Sequence, residues 1–191
     1  MKKVPEELAG KLYAHGDRFL ADGAALRLDE VASAIEVPRA TLYYYFSGKD
    51  DLVSFLMTEK LSRVAEAVGK AKAGEGTALD RFCGALRATV RELAGNPALC
   101  LNLMIAVGRM ADMSEIMMTA DRAVMGPLRE LLIEARAVGD VEVDDIDNAV
   151  AGLMGGINFA VVQRYAVAGA VEADAMADQL VALALNGLRS H

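Results

Sequence analysis

Hydrophobic side chains recur at helical spacing almost throughout the chain, with no alternating run of useful length that would indicate a strand. The first series, which includes Leu8, Leu12 and Phe19, predicts a helix that ends near Asp22. Glycine and proline breaks divide the remainder into further helices, and Gly126-Pro127 is expected to kink or divide one of them. The pattern therefore predicts an all-α fold of about nine helices and no sheet.

Two of the predicted helices are short and adjacent, at about 28–35 and 39–46. Helices of this length are unstable alone, so they are expected to pack as a helix-turn-helix against the first helix. Small apolar residues such as Ala32 suit that close packing. We therefore predict a three-helix N-terminal domain at 1–48 and a larger helical domain at 49–191, joined rigidly by the long helix that begins at Asp50.

The outer face of the second short helix carries groups that can contact DNA. This helix carries three consecutive tyrosines, Tyr43, Tyr44 and Tyr45. Successive helical residues point 100° apart, so at least one or two of these side chains must face outward. An exposed tyrosine offers its hydroxyl to a phosphate and its ring to a sugar or a thymine methyl group. The alternative is that the tyrosines only wedge helices together. The candidate DNA contacts on this face are Arg39, Ala40, Thr41, Tyr43 and Tyr44, with Lys49 placed to reach a phosphate.

The charge of the chain limits how DNA could be bound. The net charge is −7, and residues 1–50 hold 7 Lys and Arg against 8 Asp and Glu, so this part is only less acidic than the rest. DNA affinity must therefore come from the placement of a few cations, and we expect weak non-specific binding. The hydrophobic fraction of 54% supplies ample material for a core.

Several other classes of protein find no support in the sequence. Cys83 and Cys100 lack metal-ligand spacing and are expected to be reduced thiols that pack as small hydrophobes. A convergent catalytic set and a phosphate-binding glycine loop are absent, so neither an enzyme nor a cofactor is expected. Apolar runs stay below about 18 residues, and acidic Glu6 and Glu7 follow the N-terminal lysines. A cytoplasmic protein without membrane contact is expected.

The stretch Thr41-Leu42-Tyr43-Tyr44-Tyr45-Phe46, followed by Lys49, Asp50 and Leu52, resembles the TetR (tetracycline-repressor-like) family of transcription regulators. It is similar to the end of that family's recognition helix and the signature that follows. Val31-Ala32 stands where the family has Ile-Ala. One departure is Glu36, which replaces the family's usual turn glycine and is expected to need a less common backbone conformation.

The resemblance implies a sequence-specific transcription regulator, most simply a repressor that a small, largely apolar effector releases from its operator. An activator is the alternative, because the sequence does not show the sign of the coupling between effector and DNA. It places the helix at 39–45 in the major groove of double-stranded DNA. A homodimer would read a palindromic operator with half-sites about 34–36 Å apart. Arg27 and Pro38 stand at the cap positions of the two short helices and join the candidate DNA contacts. The alternative is a helical protein-interaction module without DNA-binding activity.

The resemblance also assigns 49–191 to effector binding and dimerisation. Residues 97–125 hold six methionines, whose flexible side chains suit an adaptable pocket or serve as plain core filler. We expect a lipophilic or aromatic effector. The candidate lining residues are Phe82, Met104, Met117, Phe159 and Tyr165.

The last two predicted helices are expected to form the dimer. The first of them carries Gly152, Gly155 and Gly156, although glycine costs roughly 1 kcal/mol in a helix interior. Close helix packing would offset this cost, either within the chain or across a dimer seam. In the family the last two helices pair with their counterparts in a four-helix bundle.

Overall fold

A computed structural model of the chain describes residues 3–108 and 114–188, and every long element in these ranges is an α-helix. The predicted all-α fold is confirmed. None of the helices in these ranges combines the length and apolar character that a bilayer span requires. The helices in chain order are α1 (Glu6–Ala14), α2 (Gly16–Asp22), α3 (Leu28–Ala34), α4 (Arg39–Tyr45), α5 (Lys49–Lys72), α6 (Ala78–Ala94), α7 (Pro97–Gly108), α8 (Ser114–Ala120), α9 (Gly126–Ala137), α10 (Ile146–Ala168) and α11 (Ala173–Leu188).

The first predicted helix is in fact two helices, because the chain leaves helical geometry at His15 (φ −111°, ψ 7°). Gly16 follows the break and is buried against α5. A Cβ atom at Gly16 would lie 3.7 Å from Leu56 Cδ2 and 3.9 Å from Lys60 Cε. Both distances are ordinary van der Waals contacts, so the start of α2 packs on α5 at a separation that would also accept a methyl group.

The predicted division near Gly126-Pro127 occurs as a π-helical segment at Asp121–Met125, between α8 and α9. Pro127 cannot donate a backbone hydrogen bond, and its ring crowds the carbonyl group four residues earlier. The disturbance therefore lies in the turn before the proline. Arg129 of α9 reaches back across it and bonds to Asp121 Oδ1 at 2.5 Å.

One hydrophobic core runs from the N-terminal helices into the body. The continuous helix α5, about 36 Å long, contributes Leu52 and Leu56 near its start and Val64 and Val68 farther along. The domain boundary that we predict between residues 48 and 49 therefore lies directly before α5, and α5 packs on both the N-terminal helices and the body. Cys83 and Cys100 are not joined in a disulfide, and burial raises the pKa of the Cys100 thiol to about 12.

The turn between α3 and α4 places a non-glycine residue in the left-handed region. Glu36 has a φ of +55°. This is the less common backbone conformation that we expect because Glu36 stands where the family usually has a turn glycine. The N–H of Glu36 bonds to the Ser33 carbonyl at 3.4 Å, and that of Val37 bonds to the Ala32 carbonyl at 3.0 Å. These two bonds form a Schellman motif, whose left-handed position favours glycine.

We predict that Glu36→Gly raises the free energy of unfolding by about 0.5–1 kcal/mol. The left-handed conformation costs an ordinary residue roughly 1–2 kcal/mol, and the larger entropy of glycine in the unfolded chain removes part of the gain. Urea unfolding followed by circular dichroism measures the change. The same exchange at Glu30, inside α3, is expected to lower stability by about 1 kcal/mol. A loss of stability in Glu36→Gly would contradict the strain argument.

Candidate functional site

The helix-turn-helix consists of α3 and α4, held by buried apolar side chains. Val31, Ala32 and Leu42 are at most 1% exposed, so the two short helices pack tightly on each other and on the core. Phe46, which directly follows α4, is also 1% exposed and meets Phe55 of α5 edge to face, with ring centroids 5.5 Å apart. Leu42 and Phe46 therefore anchor the inward side of α4 in the hydrophobic core.

The opposite side of α4 faces outward. Tyr43 and Tyr44 are 56% and 59% exposed, whereas Tyr45 is half-buried and meets the Tyr44 ring edge to face. The expectation that one or two of the three tyrosines face out is confirmed. At 100° per residue, Arg39 and Ala40 lie on the same side as the two exposed tyrosines. Pro38, Arg39 and Ala40 are exposed and Thr41 is half-buried, so the structure brings these candidate DNA contacts onto one surface.

The cations near this surface are few but accessible. Arg39 pairs with Asp29 at 3.4 Å, and the Arg39 side chain is 69% exposed. Such a surface ion pair contributes little energy, so a phosphate could replace the carboxylate at small cost. Arg18, Arg27 and Arg39 line a polar cleft of about 600 Å³ between α2, α3 and α4. The cleft also contains Asp29 and Glu30, which accords with the weak non-specific DNA affinity expected from the charge count.

The two short helices, α3 and α4, begin without side-chain caps, whereas side-chain hydrogen bonds hold the turn before α5. Arg27 and Pro38 occupy the N-cap positions of α3 and α4, and neither forms a side-chain cap bond. Lys49 is the half-buried first residue of α5. Nearby, the backbone N–H of Ser47 bonds to Asp51 Oδ2 at 2.9 Å, and the Ser47 hydroxyl donates to the same oxygen. These bonds lower the pKa of Asp51 and fix the turn that carries Lys49.

A second candidate site is an apolar cavity of about 420 Å³ in the body. It lies among α5, α6, α7, α8, the π-helical segment and α10. The described lining residues are uncharged, and all but Asn158 are apolar. They are Leu61, Val64, Leu93, Leu103, Met104, Val107, Met117, Ala120, Val124, Met125, Ala151, Met154, Gly155 and Asn158.

Only part of the expected pocket lining lies at this cavity. Met104 and Met117 are on its wall, but Phe82, Phe159 and Tyr165 are not among its described lining residues. Phe82 is fully buried in α6, about three turns from the α6 residue that does line the cavity. Phe159 and Tyr165 are 61% and 51% exposed on α10.

The position of the cavity on α10 explains these differences. The lining stripe of this helix is Ala151, Met154, Gly155 and Asn158, spaced at i, i+3, i+4 and i+7. Phe159 lies about 100° around the helix from the end of that stripe, and Tyr165 lies about two turns beyond it. Of the other methionines in the cluster, Met125 lines the cavity, and Met110 and Met113 lie outside the described residues.

Asn158 was not expected from the sequence as a site residue. It is half-buried on α10, and its side-chain Nδ2 donates to the Met154 carbonyl at 2.8 Å. Its Oδ1 is buried and has no hydrogen-bond donor among the described residues. The sequence feature that could have indicated Asn158 is that it is the lone amide within an otherwise apolar stretch of a long helix.

Two polar contacts tie the cavity helices to α2 of the N-terminal part. Asn102 of α7 is buried, and its Nδ2 donates to the Leu20 carbonyl at 2.9 Å and to the Ala98 carbonyl at 2.8 Å. Lys60 of α5 pairs with Asp17 at 2.6 Å, and the Lys60 side chain is only 8% exposed. Leu103 and Leu61, the next residues along α7 and α5, line the cavity.

The outer face of α10 and α11 is apolar and open. A Cβ atom built at Gly152, Gly155 or Gly156 would meet no described atom of the rest of the chain within 4 Å. Close packing within the chain therefore does not explain these three glycines. On α11, Leu183 is 68% exposed, while Met176 and Leu180 pack partly against the core.

Comparisons with known proteins agree with the helix-turn-helix. Residues 21–54 match the family model of bacterial regulatory proteins of the tetR family. Among curated protein sequences, none matches this chain.

Solved structures extend the likeness to the whole fold. A tetR-family bacterial regulatory protein from Rhodococcus RHA1 is similar at a TM-score of 0.77 and 20% identity, over 98% of this chain and 100% of that one. The ketosteroid transcriptional regulator KstR2 of Mycobacterium tuberculosis gives 0.73 and 18%, over 99% and 98%. The regulator FadR from Bacillus subtilis, in complex with stearoyl-CoA, gives 0.72 and 19%, over 93% and 98%.

Proposed function

Because this chain is a regulator of the TetR family, in its DNA-binding domain and in its fold, we propose that it is a repressor that a small apolar effector releases from DNA. It binds a palindromic operator as a homodimer. The observation that carries this proposal is the outward face of α4, where two tyrosines are more than half exposed on a helix anchored by buried Leu42 and Phe46.

The DNA contacts divide into two groups. In the proposed complex, α4 lies in the major groove, and Arg39, Ala40, Thr41, Tyr43 and Tyr44 contact bases and the adjacent backbone. Arg27, Pro38 and Lys49 flank this helix and contact phosphates through side chains or backbone N–H groups. The exposed cleft arginines support this assignment, since they can exchange carboxylate partners for phosphate.

The dimer forms through α10 and α11. The open positions at Gly152 and Gly156 on α10 and the exposed Leu183 on α11 support this assignment, since they would be filled or covered by a second copy. Two pairs of such helices form a four-helix bundle across the two-fold axis.

The effector occupies the cavity of about 420 Å³, a volume within the range of small-molecule sites. The FadR relative binds stearoyl-CoA, which supports a lipophilic ligand here. An effector that displaces α5 or α7 would move α2 through the Lys60–Asp17 and Asn102–Leu20 contacts. The spacing of the two α4 helices would change, and both half-sites could no longer be engaged together.

Fluorescence anisotropy of the purified protein with a duplex from upstream of its own gene tests the proposal. A shuffled duplex of the same composition at the same salt is the control. We expect the upstream duplex to bind at least about 1,000-fold more tightly, since specific sites exceed non-specific DNA by this factor or more. If equal, weak binding to both duplexes persists after selection from a random-sequence library, the chain is not a sequence-specific regulator.

A further inference from the structure

Three arginines from three segments of the chain converge on the polar cleft beside α4. Arg18 lies on α2, Arg27 directly precedes α3, and Arg39 is the first residue of α4. The other charged residues of the lining are Asp29 and Glu30, so three cations against two anions leave the cleft with a net positive charge. Because Arg39 also belongs to the outward face of α4, the cleft adjoins the surface that is proposed to meet DNA.

The guanidinium groups of Arg18 and Arg39 are accessible to a large external partner. Both side chains are 69% exposed. The Nε atom of Arg18 lies 4.0 Å from Asp22 Oδ2, which is too long for a hydrogen bond, so this contact engages Arg18 only weakly. Arginine presents its N–H groups in a planar fork that matches phosphate oxygens. A DNA backbone beside the start of α4 would supply such phosphates.

One acid in the cleft, Asp29, already occupies Arg39. The Asp29 carboxylate pairs with Arg39 at 3.4 Å, and its short side chain, 29% exposed, projects from the first turn of α3. Opening this exposed ion pair costs little. The larger penalty follows, because the carboxylate stays in the cleft when the guanidinium turns to a phosphate, and two negative charges a few ångström apart repel each other. The charge of Asp29 therefore disfavours a phosphate at this place.

We propose that the cleft binds a phosphate of the DNA backbone through Arg18 and Arg39, and that Asp29 opposes this contact. The inference rests on the proposed function, which seats the duplex against α4, and it adds a contact from α2, outside the helix-turn-helix. Every duplex carries phosphates, so the contact supplies affinity without sequence preference. The gain on neutralising Asp29 should therefore be the same for the operator and for a shuffled duplex.

Fluorescence anisotropy with a short duplex of shuffled sequence, at low ionic strength, measures phosphate contacts without base readout. We expect Asp29→Asn to bind this duplex at least about 5-fold more tightly than the wild type. Glu30→Gln is the matched control, because Glu30 lines the same cleft but is not the ion-pair partner of Arg39, and its gain should stay below about 2-fold. In an Arg39→Gln background, Asp29→Asn should also gain less than about 2-fold, since no guanidinium then draws a phosphate to that position.

Arg18→Gln tests the contribution from α2. It should bind the shuffled duplex about 3-fold more weakly, and the slope of log K against log salt concentration should fall by about 0.9 for each chain bound. The matched control is Arg63→Gln, because Arg63 is 59% exposed and also pairs with an acid in the adjacent turn of its helix, Glu59, but lies on α5 outside the cleft. It should change neither the affinity nor the slope.

Wild-type affinity and salt dependence in Arg18→Gln, or equal gains in Asp29→Asn and Glu30→Gln, would overturn the phosphate site. A loss of affinity in Asp29→Asn would also overturn it, because the carboxylate would then position Arg39 for DNA instead of opposing the contact. Each of these results leaves the preference for one operator sequence untouched, so the proposed function would stand. If the wild type binds no duplex even at low salt, both proposals fail.

Discussion

Replacing Tyr44 with alanine is expected to weaken specific DNA binding by about 30-fold or more. Tyr44 is 59% exposed on the outward side of α4, so its ring and hydroxyl are accessible to a bound duplex. A contact to a base or its neighbouring backbone contributes about 1–3 kcal/mol, and the proposed dimer would lose this contact at both half-sites. Anisotropy with the specific duplex at fixed salt measures the loss.

The matched variant Tyr44→Phe keeps the ring and removes only the hydroxyl. If the ring packs on a sugar or a thymine methyl group, Tyr44→Phe should retain most of the affinity. If the hydroxyl bonds a phosphate, the phenylalanine variant should lose affinity to both specific and shuffled duplexes. Thermal unfolding should change little in either variant, because surface substitutions of this kind stay within about 0.5 kcal/mol. Full DNA affinity in Tyr44→Ala would contradict the placement of α4 in the groove.

The helix-turn-helix could be predicted from the sequence because its determinants are local. Leu42 and Phe46 are one helical turn apart, which fixes the inward side of α4 and hence the outward side of the tyrosines. The unusual φ of Glu36 could also be anticipated, since the turn between two short helices needs one left-handed residue. Both conclusions depend on residues within a few positions of each other.

The break at His15 could not be found in the same way. The hydrophobic spacing continues through it, and the helix that starts after the break packs at Gly16 on Leu56 and Lys60, about forty residues later in the chain. A periodic pattern identifies the apolar side of a helix but not the distance of closest approach to another helix. That distance is set by tertiary packing, which divides the first predicted helix in two.

The lining of the apolar cavity could not be predicted for a related reason. A cavity is the space that packing leaves, so its lining depends on every surrounding helix at once. The helix α10 is apolar around most of its circumference. The hydrophobic pattern therefore cannot distinguish the side that meets the core from the sides that meet the cavity or a second chain. Met104 and Met117 line the cavity, while Phe159, on another side of α10, is exposed. Asn158 could be noticed as a lone amide, but its free oxygen is visible only in three dimensions.

Replacing Leu183 with glutamate is expected to convert the proposed dimer to a monomer. Leu183 is 68% exposed on α11, so the change should not disturb the fold of one chain. In the proposed seam the two-fold axis brings two copies of the side chain into a shared apolar interface, and two carboxylates would be buried without partners. Sedimentation velocity at micromolar concentration measures the assembly state.

The matched control is Ile133→Glu, which makes a similar exchange at a 51% exposed position on α9, outside the proposed seam. It should remain dimeric and keep its DNA affinity. The Leu183→Glu monomer can engage only one half-site at a time, so its affinity for the full operator should fall at least about 100-fold, because the second binding event is no longer intramolecular. Binding of the half-site itself should persist, since α4 is unchanged. A Leu183→Glu protein that stays dimeric, or a monomer that keeps full operator affinity, would show that the two α4 helices are not held in register by α10 and α11.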